Sequence, residues 1–205
     1  PIQTQTQGLM IVGAYPSARF ESRPSPTRPG IHRLIPVADN LQPFGHEEYF
    51  DGTRIRSLTS ADTLNKFILD PLGLTLGDCW VTDLVKVFLY KPSHADSLSE
   101  VKPKFDVPVL RNKFYDLGRK SLPWLREEID LCQPQLVVTL GQEVAQVVHE
   151  KKSAPADDLL KDEIIHPEAL NGYPTMHLPH PDACRRMEKW REHLKGQIKT
   201  IKGHL

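Results

Sequence analysis

The stretch 178–186 contains the residue types of this chain that are best suited to chemistry. It reads Leu-Pro-His-Pro-Asp-Ala-Cys-Arg-Arg and directly follows the apolar segment 174–178. A strand that ends in His180 and Pro181, and continues through Asp182 into an arginine-rich helix, brings together an imidazole, a rigid turn and cations. This combination is typical of a site for a phosphate-bearing substrate.

Four short apolar runs predict the buried strands that must position such a site: residues 9–12, 80–85, 136–140 and 175–178. Amphipathic stretches with helical spacing lie between them. We therefore expect an α/β fold, with a mainly parallel four-stranded sheet covered by helices on both faces. Ligands of such folds bind at the carboxyl ends of the strands. The predicted strand ends carry distinctive residues: 13–17, Asp83 with Lys86, 141–142 and 180–182.

The segment 22–57 differs in character from the rest of the chain. Prolines at positions 24, 26, 29 and 36 exclude a regular helix, and arginines stand at 19, 23, 28 and 33. We expect a long loop that wraps over the site. No linker or repeat divides the sequence, which predicts a single domain over residues 1–205.

Composition limits the class of protein. The chain has 205 residues, 39% of them hydrophobic, and no apolar run long enough to cross a bilayer, so we expect a soluble domain without a membrane partner. Lys plus Arg equals Asp plus Glu at 26 each, so a nucleic-acid partner must be bound by a local patch. Three widely spaced cysteines fit a reducing cytoplasm and lack zinc-ligand spacing, so we expect no metal: Cys79, Cys132 and Cys184.

The strand-end segments also form an ordered set. In chain order they are IVGAYPS at 11–17, PFG at 43–45, VTDLVK at 81–86, PQLVVTLG at 134–141 and HPD at 180–182. Together they resemble the motifs of the uracil-DNA glycosylase superfamily, and are most similar to its thermophile-type iron–sulfur branch, over nearly the whole chain. The resemblance implies a single three-layer α/β/α domain that binds DNA, as a duplex with a flipped base or as a single strand. It further implies hydrolysis of the N-glycosidic bond of that flipped base.

The resemblance also implies roles for individual residues. The first motif, with Ala14 and Tyr15, would lie against the sugar and position the attacking water. Phe44 would stack on the extruded base and Asp83 would read the edge of the base. His180 would stabilise the negative charge that develops on the departing base. The residues expected to contact DNA are Pro16, Ser17, Pro181, Asp182, Arg185 and Arg186.

Three positions depart from the family pattern. Ala14 stands where the iron–sulfur branch has a Glu and related branches an Asn or Asp, so catalysis must use Asp83, Tyr15 or His180, or be lost. Asp83 stands where the family has an amide. Ser121 stands where the cluster branch has a cysteine, and no cysteine precedes the first motif. We therefore predict that the protein has no iron–sulfur cluster and no other cofactor.

The carboxyl of Asp83 bears on the choice of base. Uracil presents an acceptor at O4 and a donor at N3, and an ionised carboxylate can only accept. Ionised Asp83 would therefore suit an edge rich in donors, such as that of protonated cytosine or a purine. Protonated Asp83 can also donate, which requires a raised pKa.

Other interpretations of these residues stay open. His180 could be a turn residue that caps the last helix, Tyr15 and Phe44 could be core aromatics, and Lys86 could form a structural ion pair with Asp83. The charges between 185 and 202 are also typical of a solvated helix surface. At the level of function, the chain could be a catalytically silent module that recognises DNA, which Ala14 would explain, or a protein that binds a nucleotide.

Overall fold

A computed structural model describes residues 3–39, 44, 48–50, 54–57, 60–102 and 110–205. Its strands, in chain order, are β1 (Leu9–Gly13), β2 (Ala18–Pro24), β3 (His32–Asp39), β4 (Glu48–Phe50), β5 (Ile55–Ser57), β6 (Cys79–Asp83), β7 (Leu136–Leu140) and β8 (Thr175–Leu178). Strands β6, β1, β7 and β8 form, in that order, a parallel four-stranded sheet. Every residue of these four strands is buried, which explains their uninterrupted apolar runs.

The helices lie between the strands in sequence. They are α1 (Ser60–Leu64), α2 (Asp70–Leu72), α3 (Pro92–Val101), α4 (Phe114–Cys132), α5 (Gln142–Val148), α6 (Ala156–Leu159), α7 (Pro181–Arg186) and α8 (Glu188–His204). A π-helical turn covers Asn65–Leu69, and 3₁₀ turns cover Leu76–Asp78, Arg111–Lys113 and Glu168–Leu170.

Alternate residues of β1 belong to two separate hydrophobic cores. Ile11 packs in one core with Ile198 of α8, and Val12 packs in the other with Leu125 of α4 and Val144 of α5. Since successive side chains of a strand point to opposite faces, helices cover both faces of the sheet. The predicted three-layer α/β/α sandwich with a parallel four-stranded sheet is confirmed.

The strand register aligns the carboxyl ends of the sheet. Gly13 of β1 pairs with Asp83 of β6, and Leu140 of β7 pairs with Leu178 of β8. The segments that follow these strands therefore meet at one edge, where the sequence places its candidate chemistry.

In its described residues, the segment 22–57 is not the long loop that the sequence predicts. β2 and β3 form an antiparallel hairpin, and β4 pairs antiparallel with β5. As expected from the prolines, the described part of the segment contains no helix. The prolines remain compatible with a two-stranded ribbon because both of its strands are edge strands. Pro24 is the last residue of β2, and Pro36 pairs with Phe20 next to an irregularity of the ladder.

One carboxylate fastens the first hairpin to α3. Glu100 accepts hydrogen bonds from Ser25, from Thr27 at 3.0 Å and from Arg33 Nε at 2.8 Å. The bonds from Ser25 and Arg33 lower the pKa of Glu100 to about 2. The contact therefore persists well into acid.

The described residues bear on two expectations from composition, which concern membrane-spanning helices and the cysteines. Within this part of the chain, no helix combines the length and apolar character needed to cross a membrane. The three cysteines are buried as free thiols.

Candidate active site at the carboxyl edge of the sheet

A cleft of about 660 Å³ lies at the carboxyl edge of the sheet. Its described lining includes most of the residues that the sequence singles out: Ala14, Tyr15, Pro16, Ser17, Phe44, Asp83, His180, Asp182 and Arg186. Pro181 and Arg185 are not part of that lining; Pro181 is buried and Arg185 is exposed. The structure thus gathers residues that are up to about 170 positions apart into one concave site.

The end of β1 provides the floor for two of the predicted base-binding residues. A Cβ atom added to Gly13 would lie 2.2 Å from Asp83 Oδ1 and 3.3 Å from a ring carbon of Phe44. The carboxyl and the aromatic ring therefore both lie directly over the Gly13 backbone. Only glycine leaves them this space.

The backbone of Phe44 has an unusual conformation. Its φ is +54°, in the left-handed region that bulky side chains rarely adopt. Such strain costs about 1–3 kcal/mol and is concentrated at functional sites. Phe44 also packs partly against the hydrophobic core, so the core-aromatic interpretation holds for one side of its ring.

Asp83 is buried, with only 6% of its surface exposed. Burial raises its pKa to about 7, while the charge of Lys86 lowers that pKa and the charge of Glu128 raises it. Lys86 does not form the structural ion pair with Asp83 considered above. Its Nζ instead contacts Glu128 Oε1 at 2.5 Å and Thr82 Oγ1 at 2.6 Å. In the described part of the chain, the Asp83 carboxyl has no hydrogen-bonding or ion-pair partner. With its raised pKa, the carboxyl titrates near neutral pH.

His180 follows β8 and caps α7. Its Nδ1 accepts a hydrogen bond from the Asp182 backbone N–H at 3.2 Å, which assigns the ring proton to Nε2. Burial lowers the pKa of His180, although the charges of Asp182 and Glu143 act in the opposite direction. His180 therefore caps a helix as expected, but this helix is α7 and not the last one. The cap is compatible with a neutral imidazole that lines the cleft and donates through Nε2.

The end of β7 lies against this histidine at a glycine whose backbone conformation other residues rarely adopt. Gly141 has a φ of +92°, and a Cβ added to it would lie 3.5 Å from the His180 Cβ. The turn into α5 and the turn into α7 are therefore in contact.

Tyr15 belongs both to an aromatic cluster and to the cleft. Its ring centroid lies 6.3 Å from that of Phe88 and 6.0 Å from that of Phe114. The Arg111 guanidinium lies 5.8 Å from the same ring, and burial raises the pKa of the Tyr15 hydroxyl. The hydroxyl therefore stays protonated at neutral pH.

The sequence analysis missed several residues that line the cleft: Phe20, Phe88, Lys91, His94, Arg111 and Glu143. Arg111 and Glu143 form an ion pair of 2.7 Å between Nη2 and Oε1. Glu143 had a usable signal, since it comes two residues after Gly141 at a predicted strand end. Arg111 had none, because it lies outside the predicted strands, strand ends and helices.

Asp182 changes the expectation for the two arginines of α7. It forms ion pairs of 2.7 Å with Arg185 and 2.6 Å with Arg186. Both guanidiniums are thus at least partly neutralised within their own helix. A phosphate would have to replace Asp182 as their partner.

The described residues contain no group of three His, Cys, Asp or Glu side chains placed to hold a metal ion. Ser121, at the position of a cluster cysteine, is buried within α4. The absence of a cofactor stays a prediction.

Similarity to known proteins points the same way as the geometry. No match is found among curated proteins. A family model described as the uracil DNA glycosylase superfamily matches residues 2–200, which is nearly the whole chain. The fold, the five ordered motifs and the cleft that gathers them agree with that match, and the chain belongs to the uracil DNA glycosylase superfamily.

Proposed function

We propose that this protein is a DNA glycosylase that hydrolyses the N-glycosidic bond of a flipped base, either uracil or a cytosine-like modified base. The observation that carries the proposal is the arrangement over Gly13. There the Phe44 ring and the Asp83 carboxyl lie side by side in the cleft that also holds His180. A stacking surface, a hydrogen-bonding edge and a neutral donor are what excision of an extruded base requires.

The protonation of Asp83 supports this choice of bases. A protonated carboxyl has one donor and one acceptor, and so matches O4 and N3–H of uracil or N3 and the N4 amino group of cytosine. An ionised carboxyl matches only an edge that presents two donors, such as that of protonated cytosine. Because the pKa of Asp83 is raised to about 7, the protonated form is well populated at neutral pH.

His180 would stabilise the leaving base. As the C1′–N bond lengthens, negative charge develops on the base, and the Nε2–H of a neutral imidazole can donate to it. Removal of one such donor typically slows a reaction by about 10²–10³-fold.

The DNA contacts, the branch of the superfamily and the cellular location are also part of this proposal. Pro16, Ser17, Pro181, Asp182, Arg185 and Arg186 would contact the DNA backbone around the flipped nucleotide. The likeness to the thermophile-type branch, without its cluster, rests on the motifs alone. The buried free cysteines support a cytoplasmic location.

A strand-cleavage assay tests the proposed function. Fluorescent oligonucleotides carrying uracil, hypoxanthine, xanthine, cytosine, 5-hydroxymethylcytosine or its glucosylated form are incubated with the protein, as single strands and as duplexes. Alkali then cleaves any abasic site. We expect product from a uracil or cytosine-like substrate, and a rate at least about 10²-fold lower for His180→Ala.

The catalytically silent recognition module is the second candidate, and Ala14 is the observation that favours it. Its signature is salt-sensitive binding to the same oligonucleotides, with no alkali-labile product from any of them and no effect of His180→Ala. That result would replace the glycosylase proposal.

A further inference from the structure

Three carboxylates line the cleft among the described residues: Asp83, Glu143 and Asp182. Ala14, at the position of the family's water-orienting group, has only a methyl group. Hydrolysis of a glycosidic bond requires a group that orients the attacking water and balances the positive charge of the sugar. A carboxylate suits both tasks, and the surroundings of the three differ.

Two of these carboxylates are engaged elsewhere. Asp83 is buried over Gly13 beside Phe44, where it faces the proposed base edge. Asp182 binds Arg185 through Oδ1 and Arg186 through Oδ2, so both of its oxygens are occupied.

Glu143 lies between the two catalytic motifs. β7 is the sheet neighbour of both β1 and β8, and Glu143 is the second residue of the helix that follows β7. It is therefore placed between the segment that contains Ala14 and the segment that contains His180. Burial is the main influence on the pKa of both Tyr15 and His180, and the charge of Glu143 raises both pKa values, so the carboxylate is within electrostatic reach of each.

Arg111 fixes one oxygen of this carboxylate. Its Nη2 donates to Glu143 Oε1 at 2.7 Å, and its guanidinium packs over the Tyr15 ring. In the part of the chain that the structure describes, no hydrogen bond occupies Glu143 Oε2. The side chain is 42% exposed, so a water molecule can reach that oxygen.

We propose that Glu143 holds and deprotonates the hydrolytic water, in place of the side chain that Ala14 lacks; this assignment rests on the proposed glycosylase function. The water oxygen forms a bond to C1′ as the C1′–N bond breaks, and the electron pair of that bond leaves with the base. The water proton passes to Glu143 Oε2. His180 stabilises the base anion, which then takes a proton from solvent, while Glu143 Oε2 releases the water proton to solvent. The products are a free base and an abasic sugar hydroxyl. Arg111 is a positioning residue that keeps the Glu143 carboxylate oriented.

The chain offers a closely matched control for a Glu143→Gln variant. Glu150 pairs with Arg119 of α4 at 3.3 Å, and Glu143 likewise pairs with an arginine near the start of that helix. Unlike Glu143, Glu150 is not among the described residues that line the cleft. Glu143→Gln and Glu150→Gln thus each neutralise the carboxylate of one Glu–Arg ion pair. Single-turnover excision is measured on whichever oligonucleotide of the panel the wild-type protein cleaves fastest. Affinity for an oligonucleotide with a tetrahydrofuran abasic analogue, together with the melting temperature, reports binding and folding.

We expect Glu143→Gln to slow excision by about 10²-fold or more, as for the loss of a general base, while affinity stays within about threefold of wild type and the melting temperature is unchanged. Glu150→Gln should cleave at the wild-type rate. Adding Ala14→Glu to Glu143→Gln should recover part of the lost rate.

Three results would overturn the assignment while leaving the proposed function intact. One is a Glu143→Gln rate within about threefold of wild type, well below a general-base effect. Another is parallel loss of rate, affinity and melting temperature, which shows a structural role. The third is a double variant no faster than Glu143→Gln, which shows that Glu143 does not replace the missing group. A wild-type chain that releases no base from any substrate overturns both proposals.

Discussion

The Asp83 carboxyl is deeply buried at the end of β6. It has no hydrogen-bonding or ion-pair partner among the described residues. Burial raises its pKa from 3.8 to about 7. Between these two values the folded protein holds a proton that the unfolded chain has released, so stability falls as the pH rises and becomes constant above about 7. Ionisation of the carboxyl thus lowers the stability of the folded protein at neutral pH. This cost is consistent with a functional role for Asp83.

Asp83→Asn removes this titration and tests it. We expect the asparagine variant to be more stable than wild type at pH 8, and its advantage to shrink by about 3 kcal/mol between pH 8 and pH 5, at about 1.4 kcal/mol per pKa unit. Melting temperatures of both proteins across that range give the measurement. Asp96→Asn, at an exposed position of α3, is the control and should show a constant difference. A constant difference for Asp83→Asn as well would show that the carboxyl titrates at its ordinary value.

The first hairpin is held in place by a side chain that lies far from it in the sequence. The ladder of β2 and β3 contains prolines and an irregularity, and Glu100 binds Ser25, Thr27 and Arg33 from 67 to 75 positions away. The hairpin forms part of the cleft wall through Ala18 and Phe20. Its position over the site therefore depends on this contact with α3.

Glu100→Gln should loosen the hairpin while leaving the sheet intact. We expect amide hydrogen exchange in peptides from 18–39 to become roughly threefold faster or more, as for the loss of one or two hydrogen bonds, with no change in peptides from β1, β6 and β7. Glu21→Gln is the matched control, because the partner of Glu21 among the described residues is Arg23 of its own strand, at 2.7 Å. Equal exchange in the two variants would mean that Glu100 does not anchor the hairpin.

These elements also show what the sequence could reveal. The four sheet strands were predictable because both of their faces are buried, so each reads as a continuous apolar run. The strand ends located the cleft, since the rule for parallel sheets depends on topology alone. The hairpin of 18–39 was not predictable, because prolines mask its alternation and its anchor is remote. Arg111 was not predictable for the same reason, because its role depends on a contact with Glu143, 32 positions away in the sequence.

Over the whole chain, basic and acidic residues balance at 26 of each sign, and the cleft has a similar balance of residue types. Its described cationic residues are Lys91, Arg111 and Arg186, and its acidic ones are Asp83, Glu143 and Asp182. Two of these cations are held by carboxylates, Arg111 by Glu143 and Arg186 by Asp182. Phosphates that bind these arginines therefore compete with their carboxylate partners, which predicts moderate affinity rather than the strong nonspecific binding of a basic protein.

The salt dependence of binding measures how many such exchanges occur. Each phosphate neutralised contributes about 0.9 to the slope of log affinity against log salt concentration for duplex DNA. If Arg186 exchanges Asp182 for a phosphate, Arg186→Ala should reduce that slope by about 1 and weaken binding equally for all sequences. Asp182→Asn should act in the opposite direction on affinity, because it releases Arg185 and Arg186 from their intramolecular partner. Arg119→Ala, which removes a surface arginine paired with Glu150, should leave the slope unchanged. Fluorescence anisotropy titrations at several salt concentrations distinguish these outcomes, and an unchanged slope for Arg186→Ala would place the DNA away from α7.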